Sequence, residues 1–513
     1  MKRTARVSAA AAGRLSLGTK IGYGVGDIFG GGSFVIISTW YLYFLTDVVR
    51  INPGLAGTAF LVSKLYDAVT DPFEGVLTDR TRTRLGRRRP FLLAGIPFIF
   101  LSFFLMWYPV AFSTEAARFA WVLAAYLFFS TVYSLVLTPY NALAAELTLD
   151  YHERGSLMSW RIALSAASSL VCAVVPLEIV RLFADERAGW IAMAVTFGLF
   201  FALPFVAVVL LTRERPEFQQ PLSSFSLKET FVGPLRMRTF RATLGMYLAS
   251  FVAMDAVMAI VVYFVTYYLG RPGQTQFMLG ALLVTQIAVI PAYTALSRRL
   301  GKRAAFLVAC LVWIAALSTS FGLGPSTPTA WLYVFAVSVG LGTGGVILTI
   351  WSIFPDVPDV DELVSGERRE GAYAALFQLL RKASSALGIF IIGQVLNAAG
   401  YRKPIEQLVD GVRTSIQQAQ TPRFIAALRF VFAIAPIVLV ALAIAAAVRF
   451  PLEPSAHARL KALLERRRAG KSARADAGEG AVLARLLVGN KALPAASRTK
   501  RAVPAAAGRA KRG

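Results

Sequence analysis

Twelve apolar runs, each long enough to cross a lipid bilayer, constrain this chain more than any other feature. They lie at 20–46, 55–78, 91–111, 119–146, 157–182, 189–212, 240–269, 275–297, 303–324, 329–353, 372–400 and 424–450. A helix rises roughly 1.5 Å per residue, so about 20 such residues span the ~30 Å hydrocarbon core. In that core backbone N–H and C=O groups must be satisfied internally, which for continuous apolar runs means helices. The chain is 56% hydrophobic and 16% charged, too apolar for a soluble domain. The expected fold is therefore an all-α membrane protein of twelve transmembrane helices, multi-pass in the cell inner membrane.

Loop charge orients it. Arg80, Arg82, Arg84, Arg87, Arg88 and Arg89 follow the second run, and Arg298, Arg299, Lys302 and Arg303 follow the eighth. Basic loops stay cytoplasmic, so both termini are expected there. The loop 401–423, with Arg402, Lys403, Arg413 and Arg423, is an exception that its neighbours outvote. A polar linker at 213–239 divides the runs six and six. The expected units are a tail at 1–19, a six-helix half at 20–212, the linker, a second half at 240–450, and a basic, largely disordered tail at 451–513. Within that tail Ser455 to Arg468 suit a short amphipathic helix at the membrane surface. One pattern recurs at the same place in both halves: Arg84-Leu85-Gly86-Arg87-Arg88 and Arg299-Leu300-Gly301-Lys302-Arg303. Duplicated halves put a substrate site near the midplane between them.

The net charge of +25 resides in loops and tails, which points to the anionic inner leaflet as partner and not to nucleic acid. Cys172 and Cys310 both fall in apolar runs and read as small core residues. His152 and His457 sit in a loop and in the tail, so no zinc set is expected. No phosphate-binding loop or catalytic triad is present, and Gly24 to Gly26 lack the preceding strand of a nucleotide site. The expectation is no enzyme, no cofactor, a small-molecule substrate and a monomer.

Ionisable residues within the runs are costly and therefore informative. The second run carries Lys64, Asp67, Asp71 and Glu74, whose spacings of three, four and three place all four on one helix face. That stripe must face the bundle interior. Asp67 and Asp71 together offer up to about four oxygens to a small hard cation such as Na+, or can share a proton. Thr70 adds a hydroxyl. Lys64 and Glu74 read equally well as parts of an ion pair that ties helices together. Asp27, Arg161, Asp255, Arg381 and Lys382 also lie inside runs. Arg161 and Lys382 suit either counter-ions to the acids of the second run or ligands of an anionic or hydroxylated substrate. With Gln378, Tyr133 and Tyr140 they lie near the inferred midplane. The glycines around Asp27, at 22, 24, 26 and 30 to 32, permit close helix approach and weaken the helix.

The segment Tyr66-Asp67-Ala68-Val69-Thr70-Asp71-Pro72 resembles the cation-site motif of the glycoside–pentoside–hexuronide:cation symporters, the melibiose-permease-like branch of the major facilitator superfamily. Further matches are Gly22-Tyr23-Gly24, Thr46-Asp47-Val48, Pro139-Tyr140, Glu146-Leu147-Thr148-Leu149-Asp150, Asp361-Glu362 and Gly366 to Gly371, so the resemblance covers about 18–450. It implies a major facilitator fold and symport of a sugar, glycoside or sugar acid with Na+ or H+ by alternating access. It also implies that Asp67, Thr70 and Asp71 hold the cation, with Ser134 at the position of a threonine ligand. Lys382 stands at the coupling lysine and Arg161 at the arginine of the fifth span. Substrate binding or coupling is expected to involve Asp27, Lys64, Arg161, Gln378 and Lys382. Gly75, Asp79, Arg80, Gly86, Arg87 and Arg88 form the conformational loop motif, in which Asp79 meets arginines at the helix ends. Two departures bear on substrate, because Gly31 and Leu137 occupy the places of the two sugar-binding aspartates. The wider family includes lysolipid transporters that lack those aspartates, which makes an amphiphile the alternative cargo. A non-transporting receptor would have no need of midplane carboxylates.

Overall fold

The computed structural model describes residues 15–148, 150–214, 234–366, 370–409, 412–468 and 474–489. Its first apolar run is not one straight helix. α1 (Leu17–Gly24) stops, and α2 (Asp27–Ile36) starts three residues later. Two π-helical turns, Ile37–Tyr41 and Phe44–Val48, carry the run to its end. The glycines serve close packing. A Cβ at Gly24 would meet the backbone of Arg161 at 3.2 Å, and one at Gly26 would run into the Tyr140 ring.

Proline and polar caps set the other boundaries. α3 (Pro53–Arg80) begins where the Asn52 side chain accepts from the Gly54 N–H, with proline at its first position. There follow α4 (Arg89–Met106), α5 (Glu115–Leu147), α6 (Tyr151–Arg181), α7 (Glu186–Ala202) and α8 (Pro204–Leu211). The later part holds α9 (Arg238–Tyr263), α10 (Thr275–Ala288), α11 (Ile290–Leu300), α12 (Lys302–Thr319), α13 (Thr329–Ile353), α14 (Asp356–Ser365) and α15 (Glu370–Ala398). α16 (Pro422–Arg429) and α17 (Ala435–Val448) close the apolar part. Among the described residues ten helices are long and apolar enough to cross a membrane, or eleven if the pair bent by 42° at Val289 counts as one span. α3 has 28 residues and is held out of that set by its own charges.

Two features depart from the sequence expectation. The loop between α15 and α16 folds as an antiparallel hairpin, β1 (Ile405–Val409) with β2 (Val412–Ile416). In the tail, α18 (Pro454–Arg468) forms where Ser455 to Arg468 suit a short helix, and α19 (Arg474–Leu487) adds a second helix that was not expected. α18 packs on α14, with Leu460 and Leu463 fully buried and the Arg467 guanidinium donating to the Leu363 carbonyl at 3.0 Å. The end of α19 docks on α9, where Thr239 Oγ1 donates to Leu487 O at 2.7 Å and the Arg238 N–H to Val488 O at 3.1 Å. Leucine burial against protein outweighs the polarity that reads as disorder.

The helices form two bundles. In the first, α2 packs on α6, and α3 and α4 pack on α5; in the second, α9 packs on α15 and α17, and α13 on α10 and α12. Each bundle has a basic loop turning on a left-handed glycine, Gly86 at φ +110° and Gly301 at φ +86°. The repeated Leu-Gly of the sequence is thus a backbone requirement. The bundles meet along α3 against α15, α6 against α10, and the π-helical end of the first run against α9.

Close contacts across the seams gather at the end opposite the basic loops, called here the far end. A Cβ at Gly57 would meet the Phe390 backbone at 3.0 Å, and one at Gly393 would strike the Pro53 carbonyl. Asn52 bonds to Asn397 at 2.5 Å, Gln276 to Glu178 at 2.5 Å, and Lys403 to Glu115 at 2.5 Å. The buried Asp47 carboxylate accepts from Tyr267, from Tyr401 at 2.8 Å and from Thr46 at 2.6 Å, and Thr46 Oγ1 lies 2.6 Å from the Tyr263 hydroxyl. Asp47→Ala removes the acceptor that both tyrosines share. Since Cys172 and Cys310 are buried, a Ser38→Cys reporter can be read alone. We expect Asp47→Ala to raise its labelling by an impermeant maleimide from the far end about tenfold, the scale of one charge-assisted hydrogen bond. An unchanged rate would mean that the other seam contacts hold the closure.

Candidate functional site

The acid stripe of α3 faces α5. Asp67 Oδ1 accepts from Ser130 Oγ at 2.5 Å, and its Oδ2 takes Lys64 Nζ at 2.7 Å with Lys382 Nζ at 4.0 Å. Asp71 Oδ1 accepts from Ser134 Oγ at 2.7 Å, and its Oδ2 takes Lys382 Nζ at 2.6 Å. Two carboxylates, two hydroxyls and two ammonium groups therefore share one site, and their formal charges cancel. Asp67 is buried, whereas Asp71 and Lys382 are partly exposed. The Thr70 hydroxyl donates to its own helix, at Tyr66 O, 3.1 Å away. Glu74 is also buried, and its Oε2 has no partner among the described residues.

Sequence reasoning missed Ser130. Its signal was available: Ser130 precedes Ser134 by the same one-turn spacing that separates Asp67 from Asp71. Lys64 resolves into an ion pair with Asp67, and its ammonium also stands 5.7 Å from the centre of the Tyr126 ring. Lys382 crosses from the second bundle to reach Asp71, so this pair ties α15 to α3.

Arg161 is not a counter-ion to the α3 acids, as one of its two readings had it. Its NH2 donates to Asp27 Oδ1 at 2.8 Å, and its guanidinium lies 5.2 Å from the Tyr140 ring centre. Tyr140 stacks on Tyr23 at 4.7 Å and donates to the Tyr23 carbonyl at 2.8 Å, which fixes the floor under that pair. At position 31 a Cβ would collide with Ser165 Oγ and stand 3.2 and 3.3 Å from the Ser165 Cβ and carbonyl oxygen, so a side chain there requires Ser165 to shift. Leu137 is buried.

Two adjoining cavities lie between the bundles. The larger, about 400 Å³, includes Asp27, Ser165, Asp255, Gln286 and Arg381 in its lining. The smaller, about 300 Å³, is lined among others by Lys64, Tyr133, Trp351, Gln378 and Lys382. Coupling and substrate candidates thus meet around one space.

The loop motif belongs to the first bundle's own architecture. Arg87 NH2 lies 2.5 Å and Arg88 Nε 3.3 Å from Glu146 Oε1. The Glu214 carboxylate accepts from the backbone N–H groups of Arg87, Arg88 and Arg89 at 2.6, 2.7 and 2.8 Å, an anion set on the amino end of α4. Lys302 with Asp356, at 2.5 Å, is the second bundle's counterpart. Arg80 is exposed, and Gly75 has open space around it. The Asp79 side chain lies outside the described residues.

A family model described as MFS/sugar transport protein matches residues 22–454. The chain belongs to that family. It is 31% identical over 438 residues to a protein of Escherichia coli named putative glycoside/cation symporter YagG, covering 83% of this chain and 90% of that one. To the isoprimeverose transporter of Lactiplantibacillus pentosus it is 27% identical over 388 residues, covering 74% of this chain and 80% of the other. The fold resembles the crystal structure of the nucleoside transporter NupG with a TM-score of 0.58 at 15% identity, covering 85% of this chain and 99% of that one. The resemblance to the glycoside–pentoside–hexuronide:cation symporters therefore holds, and the chain is a multi-pass transporter of the major facilitator superfamily.

The crowding at position 31 is testable. Gly31→Ala should cost ~1–3 kcal/mol by overpacking, read as a lower Tm in detergent. Adding Ser165→Gly should recover most of it. An unchanged Tm for Gly31→Ala alone would mean that α2 and α6 yield freely there.

Proposed function

We propose that this chain is a symporter that couples Na+ or H+ to the uptake of a sugar, glycoside or sugar acid by alternating access. The reading has twelve spans in two six-helix halves, 20–212 and 240–450. The basic loops and both termini face the cytoplasm, and the tail's positive charge faces the anionic leaflet. α3 is then a full span that tolerates charge because its stripe faces inward. The far end becomes the outer face, closed by the Asp47 contacts. Names of relatives support the cargo class: 'putative glycoside/cation symporter', 'isoprimeverose transporter' and 'putative sulfoquinovose importer'.

The observation that carries the reading is the Asp71–Lys382 pair between the halves. Two acids and two ammonium groups balance, so a cation gains Asp71 only as Lys382 leaves it. In that exchange Asp67, Asp71, Ser130 and Ser134 supply oxygen to the ion, and Thr70 lies next to them. The released ammonium stays in the 300 Å³ cavity that it lines, where it donates to a substrate oxygen. Cation arrival and substrate capture are linked through one side chain, and the same exchange unties α3 from α15.

Proteoliposomes test this with Na+ and H+ gradients imposed separately and labelled glycosides and a labelled lysolipid offered side by side. Asp67→Asn and Asp71→Asn should each abolish accumulation against a gradient, a loss of at least about tenfold. Lys382→Ala should tighten cation binding, because the cation no longer competes with an ammonium, and should also fail to accumulate substrate. If both asparagine variants concentrate substrate like the parent, the cation site lies elsewhere. Uptake of the lysolipid alone would replace the sugar reading.

A further inference from the structure

Asp255 and Arg381 form a buried ion pair that the coupling scheme does not use. Arg381 NH1 meets Asp255 Oδ2 at 2.5 Å and NH2 meets Oδ1 at 2.8 Å, a two-pronged contact between α9 and α15. The residues are 9% and 5% exposed. Replacing such a pair by apolar side chains of similar size is commonly neutral or favourable for folding, so stability alone is a weak reason to keep it inside a membrane protein.

Its setting points to a ligand. Arg381 lines both the 400 Å³ and the 300 Å³ cavity, together with Phe34, Ser38 and Phe251. The rings of Phe34 and Phe251 lie 5.8 and 5.0 Å from the guanidinium carbon, so aromatic faces from both bundles steady it. A guanidinium has five N–H donors and a carboxylate about four acceptor positions. The described bonds between the two use one donor on each of two nitrogens and one position on each oxygen. The pair thus keeps both donor and acceptor capacity after satisfying itself.

The first bundle presents the same chemistry. Asp27 on α2 pairs with Arg161 on α6, and Asp27 lines the 400 Å³ cavity together with Asp255 and Arg381. In the twelve-span reading these are spans one and five, and Asp255 and Arg381 sit on spans seven and eleven, the corresponding spans of the other half. Each Asp–Arg unit has no net charge. Two neutral units from opposite halves, one presenting Asp27 to the cavity with Arg161 behind it and the other presenting both Asp255 and Arg381, match a ligand that carries many hydroxyls and fit a lone carboxylate or phosphate less well.

We propose that Asp255 and Arg381 are the second half of the sugar-binding site, gripping hydroxyls of a glycoside whose other face is held at Asp27 and Arg161. This rests on the sugar-symport reading and adds specificity-determining residues to it. Alternating access then has a handle on each bundle, because one ligand touches both.

The test uses the full-length protein in nanodiscs with p-nitrophenyl β-xyloside, β-glucoside and β-glucuronide as probes, read by binding and by Tm. The parent should bind at least one, with a neutral glycoside ahead of the glucuronide. Asp255→Asn and Arg381→Lys should each weaken that binding about tenfold or more, leaving the sugar-free response to Na+ as in the parent. The apolar pair Asp255→Leu with Arg381→Met keeps the volume and serves if a single variant misfolds; it should fold and lose glycoside binding. Binding within about twofold of the parent in that double variant would overturn the proposal and leave the pair a helix tie. A parent that binds none of the three probes would overturn the sugar reading itself, a failure seen in the parent and so distinct from one seen only in the variants.

Discussion

Charge inside hydrocarbon must be matched, and the arrangement of this bundle follows from how it is matched. An isolated carboxylate in a low-dielectric interior costs several kcal/mol, more than most single packing contacts return. Asp27, Asp67, Asp71 and Asp255 meet Arg161, Lys64, Lys382 and Arg381. Only the Lys64–Asp67 pair stays within one helix. The others fasten α2 to α6, α9 to α15, and α3 to α15, so neutrality and tertiary structure are one requirement. Three of the pairs lie within a bundle, and the Asp71–Lys382 pair spans the two.

The two bundles repeat their scaffolding and differ in their chemistry. Each turns its basic loop on a positive-φ glycine, Gly86 or Gly301. Each neutralises that loop with an acid from another helix, Glu146 or Asp356. Each places an Asp–Arg pair toward the central space. The acid stripe belongs to α3 alone, and Lys382 reaches it from the other side. The repetition is one of scaffold, and the paired carboxylates stand on one side of it only.

The multi-pass helical fold and the acid stripe were legible because each is periodic or compositional. Residues three and four apart share a helix face, so Lys64, Asp67, Asp71 and Glu74 could be grouped without coordinates. Partners contributed by other helices could not be. Nothing local in the sequence tells that Arg161 turns to Asp27, that Arg381 closes on Asp255, or that Glu214 caps α4 from more than a hundred residues away. Ser130 was missed for a different reason, since a serine in an apolar run has no charge to mark it. The second helix of the tail, α19, escaped notice because composition counts arginines and alanines equally with Leu483 and Leu487, which are buried. Gly31 shows the limit of resemblance. The family's position was identified, and only the structure shows that a Cβ there would press on the Ser165 hydroxyl and require Ser165 to shift.

The docked tail has a consequence for the order in which the chain is completed. Folding during synthesis proceeds from the amino end. The first bundle's loop partners, Glu146 and Glu214, are both made before the second bundle begins. The second bundle is different. α9 is its first long helix, yet the start of α9 is held by Leu487 and Val488, among the last described residues of the chain. The ribosome must pass residue 488 before the opening turn of α9 finds its partners. A nascent chain therefore carries a finished first bundle beside an unfinished second one, and a transporter shortened within its tail would keep all its spans while leaving that joint unclosed.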